Sequence, residues 1–95
     1  MRYRLSARAD DDIVAIFVWG RDRFGEARAT AYHEDLEQTF NLLADQPRMA
    51  PLRSGLPQCV RVHPHGAHVI LYRIDPPDRI TILRVRHASE DWQPA

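Results

Sequence analysis

The sequence predicts an α+β fold: an N-terminal strand, then an αα-hairpin packed on a small antiparallel three- to four-stranded sheet. Three observations carry that prediction. Two long segments near the start repeat apolar residues at helical spacing. The last third, His68-Val69-Ile70-Leu71-Tyr72-Arg73-Ile74 and then Ile80-Thr81-Ile82-Leu83-Arg84-Val85-Arg86-His87, is β-branched and apolar on both sides of Pro76-Pro77-Asp78-Arg79, the pattern of a hairpin. Between the two lies a stretch, 47–57, with three prolines and Gly55, which reads as an irregular connector.

Taken in order, Tyr3-Arg4-Leu5 alternates like a short edge strand, and Ser6 offers an oxygen to the free amides of a helix start. Asp10 to Asp12 then stand where carboxylates suit the helix dipole. A helix from about Ala7 to Arg23 follows, with Ile13, Ile16, Phe17 and Gly20 as its buried stripe. Val14, Val18 and Trp19 widen the apolar surface beyond the needs of one core, so they either pack under loops or receive a partner. Phe24-Gly25 breaks the pattern. A second helix from about Glu26 to Gln46 places Ala29, Tyr32, Leu36, Phe40 and Leu43 on one face, and Pro47 stops it. Gln58 to His63 alternates as a strand, Pro64-His65-Gly66 turns the chain, and the C-terminal hairpin completes a three-stranded meander.

Strict alternation predicts Val60, Val62, Ile70, Tyr72, Ile74, Leu83 and Val85 on the face that covers the helices. It sends Arg61, Val69, Leu71, Arg73, Ile80, Ile82, Arg84 and Arg86 to the other face. Four aliphatics mixed with four arginines suit an amphipathic peptide with acidic groups, or else a half-solvated sheet whose arginine stems shield the aliphatics. The residues after the last strand, Ala88 to Gln93, can form one helical turn capped by Ser89.

With 95 residues the chain predicts one domain, 1–95, and its 44% hydrophobic and 27% charged residues are ordinary for a globular protein. No run approaches the roughly 18 apolar residues of a membrane span, and Met1-Arg2-Tyr3-Arg4 leads into a strand pattern rather than a signal-peptide core, which predicts a cytoplasmic protein without membrane contact. Cys59 is alone, so no internal disulfide or Cys-based zinc site can form. All thirteen basic residues are Arg. Residues 1–47 carry six Arg against nine acids and residues 48–95 seven against four, a polarity that favours an acidic partner for the C-terminal half and argues against broad nucleic-acid binding.

Few residues carry obvious chemistry. His63, His65 and His68 are near one another, but a tight Pro-His-Gly turn throws their rings apart, and neither a metal nor any other cofactor is expected. Arg61, Arg84, Arg86 and His87 could in principle act on a scissile phosphate, yet no Lys exists and no tyrosine follows Tyr72 to complete the proton transfers. Gly-rich phosphate loops, nucleophile elbows and His-Glu-x-x-His patterns are absent.

Several local words occur in a telling order: Tyr3-Arg4-Leu5-Ser6 with Ala9 and Asp12-Ile13, Phe24-Gly25 with Ala29 and Tyr32, Pro47, His68-Val69-Ile70-Leu71-Tyr72-Arg73, and Ile82-Leu83-Arg84-Val85-Arg86-His87. In this order the chain resembles the ParE branch of the RelE/ParE toxin superfamily over nearly its whole length. The resemblance implies the toxin of a type II toxin-antitoxin system that binds and inhibits DNA gyrase and arrests growth. It also implies neutralisation by a ParD-like ribbon-helix-helix antitoxin, with operator DNA bound only through that antitoxin. No catalytic residue is expected, because Val69 follows His68 where the ribonuclease branch usually has Arg, and no late tyrosine is present. The alternative is a RelE-like, ribosome-dependent mRNA endoribonuclease. On the binding reading, an antitoxin tail that is disordered when free would cover Val14, Val18, Trp19, Arg61, Val69, Leu71, Arg73, Ile80, Ile82 and Arg84, while the target would meet Arg84, Arg86, His87 and Trp92.

Overall fold

A computed structural model describes residues 3–56 and 59–90. The chain runs β1 (Tyr3–Leu5), α1 (Ala7–Phe24), α2 (Glu26–Asp45), β2 (Arg61–His65), β3 (His68–Asp75) and β4 (Arg79–His87). Ser6 caps α1 by accepting the Ala9 amide at 3.0 Å, and its hydroxyl donates to the Leu83 carbonyl at 2.7 Å, which ties the helix start to β4. Gly25 alone links the helices. It sits at φ +91°, a left-handed value that favours glycine, and its N–H closes α1 on the Arg21 carbonyl at 2.9 Å.

The sheet order is β1-β4-β3-β2. β2, β3 and β4 form the expected antiparallel meander, but β1 pairs with β4 in parallel, Tyr3 opposite Ile80, so the sheet is mixed rather than antiparallel throughout. A strand separated from its neighbour by a helix hairpin and two further strands is free of hairpin geometry, and the long connection that a parallel pair requires is present.

Both helices lie on one face of the sheet. Ile13 of α1 and Leu36, Phe40 and Leu43 of α2 pack on Tyr3, Ile70, Tyr72, Ile80, Ile82 and Val85. The whole predicted stripe of α2 is inside or half inside, with Tyr32 at its edge. Tyr72 is fully buried, and its hydroxyl is satisfied by donating to the Pro47 carbonyl at 2.8 Å.

Alternation mispredicts part of the sheet, for two local reasons. A bulge in the β3–β4 ladder leaves Leu83 without a partner: Tyr72 pairs with Ile82, while Leu71 pairs with Arg84. The parity of β4 therefore switches, and Ile80 and Ile82, expected outside, are wholly buried under the helices while Leu83 turns outward. In β2 the hairpin closes through a two-residue loop, Gly66-Ala67, with His65 opposite His68. That register pairs Val62 with Leu71 and Arg61 with Tyr72, so Val60 and Val62 fall on the outer face and Arg61 on the helix face; a shift of one residue flips a whole strand.

The outer face is not bare. Val60, Val62, Val69 and Leu71 are buried together, with Leu56 and Leu83 packed against them. The connector runs as a strap along the edge of β2: Leu52 bridges Arg61, the Arg53 amide donates to the Val60 carbonyl at 3.2 Å, and the Val62 amide to the Pro51 carbonyl at 3.4 Å. No helix among the described residues is long and apolar enough to cross a membrane.

Candidate functional site

The surplus apolar surface lies on α1. Val14, Val18, Trp19 and Phe24 are 58%, 38%, 52% and 55% exposed, more large apolar surface than an isolated exposed residue would present. Trp19 is held in place from two sides. Its ring meets Phe24 edge to face at 5.8 Å, and the Arg23 guanidinium, one helical turn further on, lies 4.9 Å from its centroid.

Beside this ridge a groove of about 460 Å³ separates α1 from the far end of the sheet. Ile16, Trp19 and Phe24 form one wall, and Ala67, His68, Val85, Arg86 and His87 the other, with Asp12 and Glu90 at the rim. The groove exists because β1 is short. Once β1 ends at Leu5, α1 takes its place along the edge of β4, and Asp12 accepts the Val85 amide at 3.0 Å as a neighbouring strand would. Asp12 also takes the Arg84 fork, at 2.8 and 3.0 Å, and lies 3.4 Å from Arg86. Partial burial opposes its ionisation, but the hydrogen bonds from Arg84 and Val85 and the two guanidinium charges outweigh it and hold the Asp12 carboxyl below the usual range. Arg86 reaches Glu90 at 2.6 Å, and Glu90 accepts the His87 amide at 2.9 Å.

At the groove's inner end His68 Nδ1 meets the Tyr32 hydroxyl at 2.6 Å, and the His68 and His87 rings touch edge to face at 5.5 Å. Desolvation first, and then the neighbouring His87 and His65, push the His68 imidazole below its ordinary value. His65 points elsewhere, toward α2, with Nδ1 3.1 Å from Thr39 Oγ1 and Nε2 3.4 Å from Asp35. Among the described residues no three His, Cys or acidic groups are placed to hold a metal ion.

The expected docking residues therefore divide. Val14, Val18 and Trp19 are exposed on α1. Ile80 and Ile82 are wholly buried and cannot touch a partner. Val69 and Leu71 keep only 8% and 7% exposure within the outer cluster, which the connector and Leu83 already cover. The arginines are engaged internally: Arg84 with Asp12, Arg73 with Asp75 at 2.9 Å, and Arg61 with the Ala50 carbonyl at 2.7 Å. Of the set expected to meet a target, Arg86 and His87 line the groove, Arg84 is turned to Asp12, and Trp92 lies outside the described residues. Sequence reasoning missed Phe24, Tyr32, His68 and Glu90. Phe24 was readable as an apolar residue five beyond Trp19, whereas the Tyr32–His68 contact joins positions with no local relation.

The comparisons with known proteins agree with this architecture. Residues 3–92 match the family model described as ParE toxin of type II toxin-antitoxin system, parDE. The chain is similar to Toxin ParE1 of Caulobacter vibrioides, 35% identical over 91 residues that cover 92% of this chain and 88% of the relative. It is also similar to Toxin ParE1 of Mycobacterium tuberculosis, 28% identical over 95% of this chain and 92% of the relative. A solved structure titled Chromosomal ParDE TA system from P. aeruginosa shares the fold, with a TM-score of 0.74 at 23% identity over 92% of this chain and 95% of that one. A match along nearly the whole chain places this protein in the ParE family of type II toxin-antitoxin toxins.

Proposed function

We propose that this toxin acts in the cytoplasm by binding rather than by catalysis, that its target is DNA gyrase, and that a ParD-like ribbon-helix-helix antitoxin neutralises it. The observation that carries the reading is the exposed apolar surface of Val14, Val18, Trp19 and Phe24 on α1, the last two lining a groove, in a molecule whose sheet arginines Arg73, Arg84 and Arg86 are paired with its own carboxylates. Apolar anchors in a concave setting favour capture of a partner segment. Arginines already neutralised are poorly placed to stabilise a scissile phosphate. In this reading Val14, Val18, Trp19 and Phe24 anchor the antitoxin tail, and Arg86 and His87 contact the target. The test is a supercoiling assay with purified toxin, with and without antitoxin: inhibition that the antitoxin relieves supports the reading, and untouched gyrase refutes it.

A second reading, a ribosome-dependent endoribonuclease, draws on one observation, the adjacency of His68, His87 and Arg86 in a single groove. It predicts mRNA cleavage at ribosomes that Arg86→Ala abolishes while the fold persists.

A further inference from the structure

We infer that the groove beside Trp19 is a nucleotide-binding site, with the base against the aromatic wall of α1 and a phosphate on the His68–His87 side. Trp19 and Phe24 stand more than half exposed and are fixed edge to face, so a flat ring can stack on one of them and meet the other at its edge. The groove, at about 460 Å³, falls in the size range of small-ligand sites.

The opposite wall decides the polarity of the ligand. His87 Nδ1 receives the Ser89 backbone amide at 3.2 Å, and since an amide can only donate, the neutral ring carries its proton on Nε2. The Ser89 hydroxyl, 2.6 Å from the same Nδ1, holds that end of the ring as well. Tyr32 donates to the His65 carbonyl at 3.2 Å, because a carbonyl can only accept, and so takes the His68 Nδ1–H at 2.6 Å, which leaves the Nε2 of the neutral His68 ring as an acceptor. Two imidazoles in edge-to-face contact thus line the groove with unlike free nitrogens, an Nε2–H donor on His87 and an Nε2 acceptor on His68.

The carboxylates that could repel an anion are occupied: Asp12 by Arg84, Arg86 and the Val85 amide, Glu90 by Arg86 and the His87 amide. A purely apolar guest would leave the His87 N–H without an acceptor and the His68 Nε2 without a donor, whereas a phosphate monoester accepts from the first and, through its own P–OH, donates to the second.

The experiment follows the imidazole and indole resonances of the full-length toxin by NMR during titration with adenosine 5′-monophosphate, adenosine and inorganic phosphate. The monophosphate is expected to shift His68, His87 and the Trp19 indole saturably and to bind at least about tenfold tighter than either fragment. His87→Asn keeps an acceptor for Ser89 but removes the Nε2–H, and should weaken binding about tenfold, whereas His87→Gln, whose amide reaches the Nε2 position, should retain most of it. His87 is exposed, so both variants should melt like the parent protein. Equal affinity for adenosine or for phosphate alone overturns the proposal, as does saturation that leaves both imidazoles unshifted, no saturable response, or an equal loss in the two variants. A toxin that spares gyrase yet binds the monophosphate leaves this site standing, and a gyrase inhibitor that ignores the monophosphate refutes the site alone.

Discussion

On its helix side the sheet buries Ile70, Tyr72, Ile80, Ile82 and Val85 beneath two long amphipathic helices, whereas on its outer side Val60, Val62, Val69 and Leu71 rely on Leu56, Leu83 and a short strap of connector. The first face is sealed by α2 residues with almost no exposure, Leu36, Phe40 and Leu43. The second is a shallow satellite cluster, yet it is closed. The apolar outer face is covered by the chain's own connector, while α1 keeps an apolar stripe wider than the core uses, the surface proposed to receive a partner.

The contrast can be broken by removing the centre of each cluster. Phe40→Ala, in the deep core, should cost about 3–5 kcal/mol in a urea unfolding experiment. Leu71→Ala, in the satellite cluster, should cost less, about 2 kcal/mol, because its neighbours can collapse toward the gap. Equal losses would mean that the two faces carry equal weight. The edge between the faces depends on Asp12. Asp12→Asn should cost about 1–2 kcal/mol at neutral pH, since it leaves Arg84 half-buried with a weaker acceptor. Because the folded Asp12 carboxyl titrates below its ordinary 3.8, its contribution is fully present above that pH and is lost as pH falls through the lower folded value; the difference between parent and variant should shrink in that acid window. Trp19→Ala should change stability least, by less than about 0.5 kcal/mol, because the ring is half exposed. In antitoxin binding measured by calorimetry, however, it should cost about 2 kcal/mol, roughly a thirtyfold weaker complex.

These regions differed in how far they could be read from residues alone. The helices were legible because Ser6, Gly25 and Pro47 mark their ends and the stripe Ala29, Tyr32, Leu36, Phe40, Leu43 has a single period. The strands were legible as strands, but their faces were not. Alternation carries no signal for the extra residue at Leu83 or for a two-residue Gly66-Ala67 loop, and either event reverses the faces beyond it. The error fell on the candidate site, placing Ile80 and Ile82 outside. The width of the apolar surface on α1, with Val14, Val18 and Trp19 beyond the buried stripe, was visible in the sequence. The groove was not, since it is made by Asp12 capping an edge that β1 is too short to cover and by a Tyr32–His68 contact across 36 positions.

Glycine at position 66 sharpens the same comparison at one atom. A Cβ there would stand 3.0 Å from the Tyr32 hydroxyl at a backbone φ of +56°, so Gly66→Ala should displace that hydroxyl from His68 and cost about 1 kcal/mol, read as lost stability and a shifted His68 resonance.

The most direct test of where partners dock is amide hydrogen exchange of the toxin with and without its antitoxin. New protection is expected along α1 from Val14 to Phe24, with the outer strands β2 and β3 unchanged from Val60 to Val62 and from Val69 to Leu71. Protection concentrated on those outer strands, with α1 exchanging as in the free toxin, would contradict the account.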